Sequence, residues 1–466
     1  MFIGREKELE ALEKRYRSDH FEFPVIYGRR RIGKTRLIQE FIREKKAIYF
    51  MATEQSEKEQ LKSLTAAIRE QYPDEQTKLI DSFSGFESLF SYMTQISKDR
   101  RIILAIDEYP YLAKAVPSIS SLLQKFIDQE WSHTKLYLIL CGSSMSFMER
   151  QVLQYKSPLY GRRTAQLKLH PLPWYESIRF FPEWQAEEKL LAYGICGGIP
   201  QYLSYFSFHK NLEEAVVEEF LSTDGHLQEE PENLMLQELR EPAVYNSLLS
   251  AIANGASRLN DIAMAVGRDP GKITFYLNNL MDLELVEKIQ PVESKETRRS
   301  IYRIRDELYL FWYRFIPSCA SLIAMGLGRA AWEKHILPHL SEYFGHIFEE
   351  ISMQYIQRLI MTGNMNELYT TYGHWWGTNP VRKREEEIDI VCANETDILC
   401  GECKWRSEPA GMDVLEILKE RSLLISKGRK IHYALFSKSG FTESLQKEAE
   451  SGNILLVDTE KLLAIQ

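Results

Sequence analysis

Residues 28–35 read Gly28-Arg29-Arg30-Arg31-Ile32-Gly33-Lys34-Thr35, a G-x-x-x-x-G-K-[ST] pattern. It follows the apolar run Phe23-Pro24-Val25-Ile26-Tyr27 and leads into the helix-like run 36–42. A strand that turns through glycines onto a helix start points several backbone N–H groups at one spot, where phosphates bind. In such a loop Gly28 and Gly33 shape the turn, Lys34 reaches the β/γ-phosphates and the Thr35 hydroxyl takes a place on Mg²⁺. The chain is therefore expected to bind a nucleoside triphosphate.

A phosphate loop needs an acidic partner. Arg101-Ile102-Ile103-Leu104-Ala105-Ile106-Asp107-Glu108 supplies one, because five apolar residues form a buried parallel strand that ends in two carboxylates. Asp107 is expected to hold Mg²⁺ and Glu108 to polarise the attacking water. The runs 46–51 and 136–141 read as further strands separated by helical patterns, as in repeated βαβ units. The second run leads into Gly142-Ser143-Ser144, which puts the Ser143 hydroxyl at a strand tip where it could sense the γ-phosphate.

At 466 residues the chain has room for roughly three domains. A net charge of −8 excludes a protein coated in positive charge, so any nucleic-acid surface is local. No apolar run approaches the roughly 20 residues of a membrane span. The first residues lack a signal-peptide pattern, and six cysteines without framework spacing fit a reducing cytoplasm. Cys400 and Cys403 form a C-x-x-C, but strand residues three apart face opposite ways, so no metal or redox pair is expected.

The opening Phe2-Ile3-Gly4-Arg5-Glu6-Lys7-Glu8-Leu9 resembles the h-h-G-R-E-x-E box of archaeal-type, STAND-related ATPases of the AAA+ group. The segments 157–164 and 196–203 also resemble that family. The resemblance implies ATP and Mg²⁺ as ligands, with the box, including Arg5, against adenine and ribose. It implies a lid near the nucleotide at Gly197-Gly198-Ile199-Pro200, with Pro200 at the site. It also makes Arg162 or Arg163 a candidate arginine finger, a cation that offsets charge on the transferring phosphoryl group. A finger acting in trans would make the active species a homo-oligomer.

Residues 241–317 change character. Helical patterns around 245–252 and 259–266, and a third with Ile273, Leu277 and Leu280 as its apolar stripe, precede two strand-like runs at 285–289 and 300–304. Three helices and a hairpin predict a winged helix-turn-helix, with Lys272, Thr274, Asn278 and Asn279 on the open face. Six basic and two acidic residues lie between Lys288 and Arg305, and Lys295, Arg298 and Arg299 fall at the wing tip, a common place for phosphate contacts. DNA is the expected partner, with protein docking as the other use of such a module.

The strand-like Glu386-Glu387-Ile388-Asp389-Ile390-Val391 is followed by a turn and by Leu399-Cys400-Gly401-Glu402-Cys403-Lys404-Trp405. If the hairpin register joins the charged faces, Asp389 and Glu402 form a paired-carboxylate metal site with Lys404 beside it. This Asp…Glu-x-Lys pattern resembles the PD-(D/E)XK nuclease superfamily, and Trp375-Trp376-Gly377 matches a segment of ATPases with an appended nuclease-like domain. The same resemblance implies one more carboxylate from a preceding helix, for which Glu350 is the candidate.

The sequence thus predicts an α/β chain. A P-loop ASCE parallel-sheet ATPase domain with a small lid (1–205) and a helical linker (206–240) precede a winged helix-turn-helix (241–317) and a mixed-sheet, restriction-endonuclease-like domain (318–466). The expected function is ATP hydrolysis coupled to DNA engagement and Mg²⁺-dependent cleavage through Glu108, Asp389, Glu402 and Lys404. The alternative is a nucleotide-dependent switch or scaffold, gating a partner protein, whose nuclease-like domain only binds. RNA stays open as the substrate.

Overall fold

Uninterrupted apolar runs become strands buried on both faces. In the computed structural model, which describes residues 2–78, 80–292, 299–450 and 452–465, β1 (Pro24–Tyr27), β3 (Ile102–Asp107) and β4 (Leu136–Gly142) are buried at every position. With β2 (Ala47–Met51) and β5 (Ala165–Lys168) they form a parallel sheet of order β2-β3-β4-β1-β5. This order brings the loop after β1 and the ends of β3 and β4 to one sheet edge, where ligands of parallel α/β folds bind. β5 was not legible as a strand: it is short, polar and half-exposed, and its pairing with β1 recruits it.

Helices cover this sheet through apolar stripes. Lys34–Ile42 starts at Gly33, whose φ of 90° a side chain would strain, and buries Leu37, Ile38 and Phe41. On the sheet's other cover, Phe90, Phe126 and Trp131 pack with ring centroids 5.2–5.6 Å apart. Each fully buried ring of this kind contributes roughly 1.5–3 kcal/mol.

The chain divides into two compact units, Met1–Pro171 with Ile199–Gln201, and Leu172–Gly198 with Tyr202–Gln466. In the second, the helices Pro242–Ala253, Leu259–Val266 and Pro270–Asp282 precede the antiparallel pair β6 (Val286–Ile289) and β7 (Ile301–Ile304). Ile273, Leu277 and Leu280 are buried, whereas Lys272 and Asn278 are exposed. Thr274 bonds back to the Pro270 carbonyl and Asn279 donates to the Tyr245 hydroxyl at 2.7 Å, so these two are partly occupied. Lys295 and Arg298 lie outside the described residues.

The long helix Leu340–Met361 leads into a second five-stranded sheet. β8 (Thr371–Asn379), β9 (Arg384–Ala393) and β10 (Asp397–Lys404) form an antiparallel meander. β11 (Lys430–Ser437) and β12 (Ile454–Asp458) then add in parallel, reached through the helices Met412–Leu423 and Glu443–Glu450. Val391, Ile398, Cys400 and Leu435 build the core with Leu415 and Leu418 of the first of those helices. All six cysteines are free and buried, and among the described residues no helix is long and apolar enough to cross a membrane.

Candidate functional sites

The loop after β1 closes tightly. A Cβ on Gly28 (φ 154°) would stand 2.6 Å from the Leu169 carbonyl oxygen, so only glycine fits there. Lys34 is buried, and its ammonium donates to the carbonyls of Gly28 at 2.9 Å and Arg29 at 2.7 Å. Burial lowers the Lys34 pKa, while Cys141, Glu108 and Asp107 act the other way. The Pro200 ring lies against Gly33, 3.6 Å from where a Cβ would be.

Thr35 donates to Asp107 Oδ2 at 2.6 Å, joining the helix start to the end of β3. Asp107 is fully buried and also accepts from the Tyr49 hydroxyl at 2.9 Å and from the Glu108 amide at 2.9 Å. A hydroxyl beside a carboxylate is a hard-oxygen donor set, which suits Mg²⁺. Tyr49 was not anticipated. It sits on β2, two residues before Met51, which pairs with Asp107, and burial with the Asp107 charge pushes its phenol pKa up. Glu108 has a left-handed backbone (φ 51°), and its carboxylate accepts from Ser143 Oγ at 2.8 Å and from the Ser143 amide at 3.4 Å.

Arg5 takes a bracing position. It has φ 67° and is buried, and it donates to the carbonyls of Ile32 at 3.2 Å and His170 at 2.5 Å while pairing with Glu8 at 3.1 Å. Its guanidinium thereby ties the opening box to the back of the phosphate loop. Arg162 makes a two-pronged pair with Asp128, both bonds 2.7 Å, and also caps the Pro158 and Tyr160 carbonyls. Arg163 reaches the Leu153 carbonyl at 3.4 Å and lies over the Tyr160 ring.

In the C-terminal sheet the β9–β10 ladder runs to Ile390–Gly401, and Asp389 and Glu402 are the next residues on the two strands. Asp389 Oδ2 accepts from the Cys403 amide at 2.8 Å. Desolvation and the Glu402 charge, with Glu349 behind them, raise the Asp389 pKa. Neighbouring carboxylates are hard-oxygen donors, a fitting pair for a divalent cation. Lys404 donates to Glu402 Oε1 at 2.7 Å. Burial opposes its charge, but Glu402 outweighs that and raises its pKa. Arg421 from the helix Met412–Leu423 reaches Glu402 at 3.4 Å, a contact the sequence did not announce. Among the described residues no three His, Cys, Asp or Glu side chains stand together as a ready metal cage.

Glu350 is placed differently from the expectation. It pairs with Arg303 of β7 and with His374 Nε2 at 3.1 Å; burial works against its charge, yet these partners hold its pKa at about 2. Its neighbour Glu349 is the carboxylate whose charge acts on Asp389. The two are adjacent on one helix, and its turn decides which faces the sheet. His374 in turn bonds the Asp389 carbonyl oxygen at 2.6 Å. The basic excess expected between Lys288 and Arg305 is also reduced, because Arg303 bridges Glu287 and Glu350 and Arg305 approaches Glu284 at 4.0 Å.

A family model described as an ATPase domain predominantly from Archaea matches residues 2–206. One described as Archaea bacterial proteins of unknown function matches residues 312–419. An uncharacterized protein of Methanocaldococcus jannaschii is 34% identical over 474 residues, covering 99% of each chain. An uncharacterized ATP-binding protein of the same organism is 46% identical over 46 residues, which is 10% of this chain and 78% of that one. Among solved structures, the Walker-type ATPase of Pyrococcus abyssi superposes with a TM-score of 0.53 at 22% identity, covering 67% of this chain and 96% of its own.

Proposed function

The chain belongs to the family of its whole-length Methanocaldococcus relative and carries an archaeal-type ATPase domain over residues 2–206, and on that premise we propose that it binds and hydrolyses ATP to act on DNA. The observation that carries the ATPase reading is the Thr35–Asp107 contact at 2.6 Å beside the buried Lys34. In this reading the loop amides and Lys34 take the β- and γ-phosphates. Thr35 and Asp107 would hold Mg²⁺, which when bound would supply positive charge to the phosphate oxygens. Glu108, oriented by Ser143, aligns the attacking water. Arg163 is the better placed of the two candidate fingers, since Arg162 is committed to Asp128. Phosphate release by the wild type, set beside Lys34→Ala and Glu108→Gln, tests this; equal rates in all three would refute it.

For the second unit the proposal is a winged helix that engages DNA, followed by a PD-(D/E)XK-like domain that cleaves it. Supporting it are the three helices with their hairpin, and the antiparallel meander continued by parallel strands, with Asp389, Glu402 and Lys404 close together at the strand ends. Asp389 and Glu402 would hold Mg²⁺ there, with Lys404 beside the scissile phosphate. Plasmid DNA incubated with Mg²⁺, with and without ATP, beside Asp389→Ala tests it; cleavage equal in wild type and variant would sink the nuclease assignment. One observation favours the rival switch or scaffold: Glu402 already carries two cations, Lys404 and Arg421, as in a neutralised binding surface.

A further inference from the structure

Within the second unit a cavity of about 480 Å³ opens between the β6–β7 hairpin and the edge of the C-terminal sheet. Asp389, Glu349 and His374 line it. Ile301 and Ile304 of β7 and Trp376 of β8 line it too, whereas Trp375 packs its ring on the core of the C-terminal sheet. The cavity volume falls within the roughly 300–1,000 Å³ of small-ligand sites. A sphere of that volume is roughly 10 Å across, too narrow to admit a duplex, whose major groove alone is ~12 Å wide. The hairpin is seated firmly on this side. Val292 donates to the His374 carbonyl at 2.8 Å and buries its side chain in the core of the C-terminal sheet, while Arg303 grips Glu350. A duplex therefore cannot enter the cavity without displacing packed structure.

From this geometry we infer that the C-terminal site takes an unpaired nucleotide, its base against Trp376, which shares a sheet face with Glu387 and Asp389, and its phosphodiester at Asp389. The inference rests on the reading of Asp389 and Glu402 as a cation-holding pair. Stacking on an aromatic face is indifferent to base identity and stabilises each base by roughly 1–3 kcal/mol, so recognition is by strand state and not by sequence. The walls also favour a cation. Four carboxylates (Glu342, Glu349, Glu387 and Asp389) line the cavity beside two arginines and two histidines, and a divalent ion at Asp389 would offset the charge that a phosphodiester brings to them. Single strands, flaps and splayed ends fit this chemistry, whereas blunt duplex does not.

The test is binding by the full chain in Ca²⁺, using an oligonucleotide with one 2-aminopurine, as single strand or blunt duplex. DNA and RNA strands are compared in parallel to separate the two sources of unpaired nucleotide. The single strand should bind about tenfold or more tighter than the duplex, with its fluorescence quenched by stacking. That preference should vanish without Ca²⁺ and in Trp376→Ala. Ile301→Trp, which fills the cavity, should abolish it while leaving the melting temperature unchanged. Equal affinity for duplex and single strand, or single-strand binding untouched by both substitutions, overturns the inference. Plasmid cleavage lost in Asp389→Ala but without single-strand preference keeps the nuclease reading and discards the pocket. Single-strand preference without cleavage in Mg²⁺ does the reverse.

Discussion

Ser143 Oγ donates to Glu108 Oε2 at 2.8 Å, linking the tip of β4 to the residue after β3. Glu108 is held there by a left-handed backbone that non-glycine residues rarely adopt, so its carboxylate is pre-aimed. Ser143→Ala should therefore lower the ATP turnover rate by about 10- to 100-fold, with little change in nucleotide affinity. Phosphate release and fluorescent-nucleotide titration, run side by side, separate the two quantities. A matching loss of affinity would make Ser143 a binding residue instead.

Gly28→Ala should damage the fold and the site together. The added Cβ would press on the Leu169 backbone at 2.6 Å, and backbone does not yield as a flexible side chain does. A loss of about 2 kcal/mol or more in unfolding free energy is expected, along with weakened nucleotide binding. Chemical denaturation monitored by fluorescence checks the first part.

The paired arginines should separate. Arg162→Ala removes a two-pronged bond to Asp128 and should cost about 1 kcal/mol or less of stability, given the partial exposure of the pair, with ATP turnover kept. Arg163→Ala should lower turnover by about tenfold or more while leaving thermal stability nearly unchanged. The opposite pattern in both assays would assign the finger to Arg162.

Glu307 introduces a pH dependence. Its half-buried carboxylate packs on Gly197, where a Cβ would stand 2.6 Å from Oε2, and desolvation with the Asp306 charge raises its pKa to about 8. The folded state thus favours the protonated form. The stabilisation is fully present below the ordinary carboxylate range and is lost as pH rises toward and through 8. Glu307→Gln should flatten this slope and unfold on the order of 2 kcal/mol less readily than wild type at pH 9. Melting curves from pH 5 to 9 decide it, and identical curves for the two proteins would remove Glu307 as the cause.

Much of the nucleotide site was legible in the linear order of residues. Gly28, Lys34, Thr35, Asp107 and Glu108 lie where strands end and a helix begins, and local periodicity marks those points. The same holds for the Asp389–Glu402 pair, because a two-residue period and a short turn almost dictate the hairpin register. β5 and β8 escaped notice, since neither carries an uninterrupted apolar run and each is held by its neighbour strand. Tyr49, His374 and Arg421 escaped for a related reason. Each reaches its carboxylate or carbonyl from another element, 15 to 58 residues away, and no spacing rule connects them.

What the sequence determined by itself is therefore the chemistry at element ends: a phosphate loop, its acidic strand and a carboxylate pair with a lysine two residues on. What only the tertiary structure decided is which groups share that chemistry. Helix rotation, not composition, set Glu349 toward Asp389 and left Glu350 to Arg303 and His374. Docking of the β6–β7 hairpin, not its charge, enclosed the cavity beside Asp389. Side-chain identity is local, whereas orientation and enclosure are properties of packing, which sums contacts across the whole chain.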